Sequence, residues 1–216
     1  MNLEEARSQM LGQQIRTWEV LDDRVLGVLG KVPRESFVPD AYRNLAFADL
    51  EVPLTHGQQM MMPKIEGRLL QALCLESSDD VLEIGSGTGF LTACLAQLAN
   101  SVVSVDIHED FSRNARVKME PLEIGNVEFR TDDALAMGHQ EQFDAIAVTG
   151  SVPELDDHFI RMLRPGGRLF IMVGREPVME AQVVTMHQRG EHALKSLFES
   201  VITPLVNAER PEPFAL

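Results

Sequence analysis

A chain of 216 residues in which 44% are hydrophobic and 24% charged has the balance of a globular domain with room for a substantial core. Its 19 Lys and Arg against 33 Asp and Glu give a formal net charge of −14, which disfavours affinity for a nucleic-acid backbone, and no run of about 18 apolar residues is present to cross a membrane. Cys74 and Cys94 lie outside any CxxC or Cys/His grouping, so neither a metal site nor redox chemistry is expected. At the start of the chain, Glu4 and Glu5 stand where an export signal would carry positive charge, and the expected setting is cytoplasmic. From Leu3 to Trp18 the apolar positions Leu3, Ala6 and Met10, then Leu11, Ile15 and Trp18, predict an amphipathic helix. Asp22 to Gly30, with Val25, Leu26 and Leu29, predicts a second. The prolines of VPRESFVPD, Val32 to Asp40, keep the flanking segments from fusing into one long helix. This leading section reads either as a lid facing a substrate or as an extra packing layer.

Val52 to Gly67, VPLTHGQQMMMPKIEG, shows no regular period until Pro63, which opens a helix containing Leu69, Leu70 and Leu73. Its three methionines, Met60 to Met62, line an adaptable apolar surface or belong to the core. Both cysteines fall on apolar faces of predicted helices, as small buried hydrophobes.

The chemistry starts at Val81 to Leu98, VLEIGSGTGFLTACLAQL. A short buried strand runs into a turn with Gly85, Gly87 and Gly89, and a helix follows with Leu91, Cys94, Leu95 and Leu98 on one face. Such a turn lets a ligand lie against bare backbone near a helix N-terminus. The dinucleotide pattern G-x-G-x-x-G fails here, because Phe90 holds the place of its third glycine. Asp106 ends the next apolar run, VVSVD, where a carboxylate can accept hydrogen bonds from a ribose diol. A helix from Phe111 to Met119 and a strand from Val127 to Phe129 follow, the strand running out at Thr131, Asp132 and Asp133. Asp133 can accept from an exocyclic adenine amine. Strand Ala145 to Val148 ends at Thr149, a helix through Leu155, Phe159 and Leu163 stops at Arg164 to Gly167, and strand Leu169 to Val173 leads to two strand-like runs about Gly190 that predict an antiparallel hairpin. Repeated alternation of strand and helix predicts an α/β fold with a doubly wound, mostly parallel sheet, whose ligand sits beyond the carboxyl ends of the strands.

Glu83 to Gly89, E-x-G-x-G-x-G, resembles motif I of the class I S-adenosylmethionine-dependent methyltransferases. Over nearly its whole length the chain resembles one family of these, the protein-L-isoaspartate O-methyltransferases. The resemblance is carried by the pattern around Met10, Gln14 and Arg16, by VPRESFVP, by PLTHGQ at Pro53 to Gln58, by DAIAVTG at Asp144 to Gly150 and by LRPGGRL at Leu163 to Leu169. It implies a Rossmann-like methyltransferase with an N-terminal helical extension and a C-terminal antiparallel hairpin. It also implies S-adenosyl-L-methionine as cofactor and a protein or peptide acceptor with an isoaspartyl carboxylate, hence a role in protein repair. The expected organisation is a single domain over 1–216, with the extension and an acceptor-side loop in 1–67 and the cofactor-binding core in 68–216. The cofactor residues expected are Glu83, Gly85, Ser86, Gly87, Gly89, Asp106, Ile107, Asp132, Asp133, Ala134 and Thr149.

The departures from the family fall in one loop. Where members read G-Q-T-I-S-A-P-H, this chain reads Gly57, Gln58, Gln59, Met60, Met61, Met62, Pro63 and Lys64. Met61 stands for the serine and Lys64 for the histidine, and with His56 these are the acceptor-side candidates. With the serine donor lost, activity on isoaspartyl peptides is expected to be weak or absent, and Met61→Ser to raise it. A same-fold enzyme with another acceptor, such as a small molecule, and a cofactor-binding protein without turnover are the alternatives. No metal, nucleic acid or membrane partner is expected, and the oligomeric state is monomer or homodimer.

Overall fold

The computed structural model describes residues 2–187 and 191–208. A two-stranded antiparallel ladder, β1 (Val52–Pro53) with β2 (Gln59–Met60), precedes the main sheet. That sheet contains β3 (Asp80–Ile84), β4 (Ser101–Asp106), β5 (Val127–Thr131), β6 (Phe143–Val152), β7 (Leu163–Arg175), β8 (Val178–Met186) and β9 (His192–Glu199). Its seven strands lie in the order β5-β4-β3-β6-β7-β8-β9, parallel from β5 to β7 and antiparallel from β7 to β9. The mostly parallel sheet and the C-terminal antiparallel pair are as expected; the turn at Gly190 lies outside the described residues. Strand order reverses between β3 and β6, which opens a crevice at their carboxyl ends.

Alternation along the strands divides the core. Val81, Ala145, Ala147, Phe170 and Met172 face one hydrophobic cluster, while Leu82, Ile84, Ile146, Val148, Leu169 and Ile171 face the other. The first face is covered by α1 (Leu3–Gln9), α2 (Asp23–Lys31), α4 (Pro63–Leu73), α5 (Phe90–Leu98) and α6 (Glu109–Met119), with the single turn α3 (Arg34–Phe37) beside them. Local chemistry starts and stops these helices. The Asn2 and Asp22 side chains cap α1 and α2 at 3.2 and 2.8 Å, Pro63 opens α4, and α6 carries Glu109 and Asp110 in its first turn and Arg116 and Lys118 in its last. The leading section is a packing layer, since Met10, Ile15, Val20 and Leu29 share one cluster with Ile65 and Leu69 of α4.

Several expectations are corrected. The first helix is α-helical only to Gln9 and continues as a π turn, Met10–Ile15, and a 3-10 turn, Arg16–Trp18. The wider π spacing puts Met10 and Ile15, five apart, on the same buried face. Cys74 is exposed, because it ends α4 in the left-handed region at φ 46°, whereas Cys94 is fully buried. Strand–helix alternation breaks between β5 and β6, where residues 132–142 form turns and bends. The helix through Leu155 and Leu163 shrinks to α7 (Asp157–Ile160), since β6 runs on to Val152 and β7 already starts at Leu163.

Candidate active site

The glycine turn after β3 is shaped by its neighbours across the switch point. The Thr149 hydroxyl on β6 donates to the carbonyls of Ile84 and Gly85 at 2.8 and 3.1 Å. A Cβ on Gly85, whose φ is +93°, would lie 2.1 Å from that hydroxyl oxygen, so only glycine fits. On the other side, the Asp106 carboxylate accepts from the N–H of Gly87 and of His108, each at 2.9 Å. Asp106 is 7% exposed, and burial raises its pKa although both backbone donors favour the charged form.

Beyond these strand ends opens a cleft with about 770 Å³ of atom-free space. Gly85, Gly87, Asp106, Ile107, Asp132, Asp133, Ala134 and Thr149 all line it. Asp133 is already engaged: one carboxylate oxygen accepts from the Leu135 N–H at 3.0 Å and the other from the Asn207 amide at 2.8 Å. Three other expected residues do not line this cleft. Ser86 bonds Ser104 at 2.6 Å, and Gly89 packs where a Cβ would come within 2.8 Å of the Ala115 Cβ. Glu83 follows the strand alternation to the face beneath α5, where Thr92 and Ser104 donate to its Oε2 at 2.6 and 2.5 Å. Its Oε1 is buried without a partner among the described residues, and burial pushes the carboxyl up to about 8, so it is neutral at pH 7.

The remaining walls come from distant segments. Leu54, Gln58, Gln59 and Met61 contribute from the loop before α4, and Ile202 to Val206 from the chain after β9. This terminal segment is strapped to β6, with Ser151 N–H donating to the Thr203 carbonyl at 3.1 Å and Leu205 N–H to the Ser151 carbonyl at 2.9 Å. A wider groove adjoins the cleft across the strap, lined by His56, Gln58, Ser151, Arg175 and Thr203 among others.

Residues 5–210 match the family model of protein-L-isoaspartate(D-aspartate) O-methyltransferase (PCMT). The chain belongs to the protein-L-isoaspartate O-methyltransferase family. It is 36% identical over 211 residues to protein-L-isoaspartate O-methyltransferase 2 of Pelobacter propionicus, covering 96% of this chain and 93% of that one. The Koribacter versatilis protein-L-isoaspartate O-methyltransferase is 33% identical over 208 residues, with 96% and 93% coverage. A Plasmodium falciparum chain described as a beta-aspartate methyltransferase, crystallised with S-adenosyl-L-homocysteine, has the same fold at a TM-score of 0.78 and 19% identity, over 95% of this chain and 98% of that one.

In this member of the family the acceptor-side candidates are dispersed. Met61 is 8% exposed and lines the cleft, and its carbonyl accepts from Arg34 Nη2 at 2.8 Å. Lys64 lies outside the cleft, its ammonium 2.7 Å from Asp49 and 4.3 Å from the centre of the Trp18 ring. His56 stacks on His108 with ring centroids 4.0 Å apart and meets Asp110 at 3.0 Å. Sequence reasoning missed the strap, the aromatic wall of His108 and Phe111, and two buried charged residues, Arg34 and Glu66. For Glu66 a signal existed: a glutamate sits on the apolar stripe of a helix, three, four and seven residues before Leu69, Leu70 and Leu73. The strap has no period and no motif.

Proposed function

We propose that this chain is an S-adenosylmethionine-dependent methyltransferase that esterifies the free carboxylate of isoaspartyl residues in damaged proteins, and that it does so in the cytoplasm. The observation that carries the reading is Asp106, a carboxylate buried at a strand end beside a bare glycine turn, in a chain of this family. The residues fit the cofactor. A side chain at Gly87 would project to within 3.9 Å of Leu54 and fill the cleft, and the buried His108 Nε2 on the cleft wall has no partner among the described residues. Asp106 would hold the ribose hydroxyls and the turn at Asp132 to Ala134 the adenine. The two free cysteines are in keeping with a reducing compartment.

S-adenosylmethionine supplies, when bound, a methyl group already activated for displacement. An isoaspartyl carboxylate is ionised at neutral pH because its ordinary pKa is about 4. No side chain need take a proton. What this chain supplies is alignment and exclusion of water: the strap and the Leu54 to Met61 loop roof the cleft, and the adjoining groove leaves an extended peptide access to its mouth. A second reading, the same chemistry on a different acceptor, is favoured by Met61, whose thioether offers no donor to a carboxylate. Transfer of radiolabelled methyl to isoaspartyl peptides, with aspartyl peptides of the same sequence as control, separates the two. Label on the isoaspartyl peptide alone is expected; label on neither, with the cofactor bound, would move the assignment to another acceptor.

A further inference from the structure

Continuous with the cleft along Met61, Gly85 and Gly87 lies a smaller cavity whose lining adds Ser86, Thr88 and Glu66. Glu66 is 2% exposed. Its Oε2 is held by Arg34 Nη1, and Oε1 accepts no hydrogen bond from a described residue. Arg34 cannot turn toward the cavity, because Nε donates to the Ala46 carbonyl at 2.9 Å and Nη2 to the Met61 carbonyl at 2.8 Å, while its guanidinium lies 4.7 Å over the Phe90 ring. The cavity therefore offers one buried carboxylate oxygen to whatever enters. A small cation with N–H donors is its chemical complement.

The sheet decides which cation reaches it. Along the strand ends stand the Asp132 to Ala134 turn after β5, Asp106 at β4 and the glycine turn after β3, in that spatial order. A nucleoside with its base at the first and its ribose at the second would direct its 5′ substituent over the glycine turn, toward the smaller cavity. We propose that Glu66 is the anionic partner of the α-ammonium at the amino-acid end of S-adenosylmethionine, and holds the same group of the product S-adenosylhomocysteine. This assignment rests on the cofactor reading above. Burial lifts the Glu66 carboxyl to about 7 against the pull of Arg34, so an arriving ammonium completes its ionisation. Arg34, by gripping both Glu66 and the Met61 carbonyl, fixes the carboxylate relative to the loop above it.

Calorimetry with two ligands tests this: S-adenosylhomocysteine, and 5′-methylthioadenosine, which keeps the nucleoside and sulfur but lacks the amino-acid end. Glu66→Gln preserves shape and removes charge. It should weaken S-adenosylhomocysteine about 10- to 100-fold and leave 5′-methylthioadenosine unchanged. In the wild type, the S-adenosylhomocysteine analogue with hydrogen in place of the amino group should bind about as weakly as the variant binds the parent, a comparison that needs no folded mutant. Equal affinity of the wild type for parent and analogue, or loss of both ligands in parallel in a variant that melts like the wild type, overturns the assignment while leaving the cofactor reading intact. A wild type that binds neither ligand overturns the cofactor reading itself.

Discussion

Asp106 holds two backbone N–H groups and still has lone pairs to offer, since each carboxylate oxygen accepts two hydrogen bonds. Asp106→Ala would strip the ribose of its acceptor and orphan the Gly87 N–H. Affinity for S-adenosylhomocysteine should fall about 10- to 100-fold, and calorimetry showing no change would discard the role. At Met61 the expectation runs the other way: Met61→Ser restores a hydroxyl at the cleft wall, on a backbone that Arg34 already pins, and should raise turnover on isoaspartyl peptides by about tenfold. It also leaves a hole, so the variant should lose about 2 kcal/mol or more of stability; unchanged or lower kcat in a folded variant refutes the idea. At this scale the strand-end positions were legible in the sequence, since Gly85 and Gly87 follow one apolar run and Asp106 ends the next, and all three line the cleft. Spacing alone did not reveal that Glu83 turns to the strand face beneath α5 or that Asp49 and Trp18 draw Lys64 away from the cleft.

Between elements, buried hydroxyls do the joining. Ser86 on the glycine turn bonds Ser104 on β4, and Ser104 with Thr92 on α5 bonds Glu83 on β3. The neutral Glu83 at the centre makes stability depend on pH. Unfolded, its carboxyl ionises near 4.5; folded, it keeps its proton up to about 8, so stability is greatest below the first value and declines as pH rises toward the second. Glu66, lifted to about 7, acts in the same direction. Asp80 opposes them at the acid end: hydrogen bonds from Ser101, Asn100 and Arg164 hold it near 2, and its contribution disappears as pH falls from about 4 toward that value. Glu83→Gln should flatten the decline between pH 5 and 8 in urea melts, and an identical slope in the variant counts against the assignment. The strap has its own weak point. A Cβ on Gly150 would meet the Leu205 side chain at 2.7 Å and its backbone nitrogen at 3.0 Å. Gly150→Ala should therefore lift the strap from β6, weaken S-adenosylhomocysteine and speed proteolysis after Ser200; a protease pattern like the wild type would show that the strap accommodates the methyl.

For the molecule as a whole, the parallel strands were legible because they are buried on both sides and read as apolar runs, and the helices of the first face because their stripes are regular. The π turn at Met10–Ile15, the helix-free passage over residues 132–142 and the strap follow from tertiary contacts and leave no local period. Those contacts also join the two ends of the described chain. Trp18 meets Phe198 of β9 edge-on at 5.9 Å, and Arg68 of α4 lies 5.0 Å over the same Phe198 ring while donating to the Trp18 carbonyl. During synthesis the layer containing Met10, Ile15 and Val20 leaves the ribosome before α4 and long before β9, so its apolar stripe waits without the surface it is shaped to cover. A peptide of residues 1–50 should accordingly be unstructured by circular dichroism and gain helicity only when residues 51–216 are added. Until α4 emerges, that stripe is a surface that a holdase chaperone would be expected to cover.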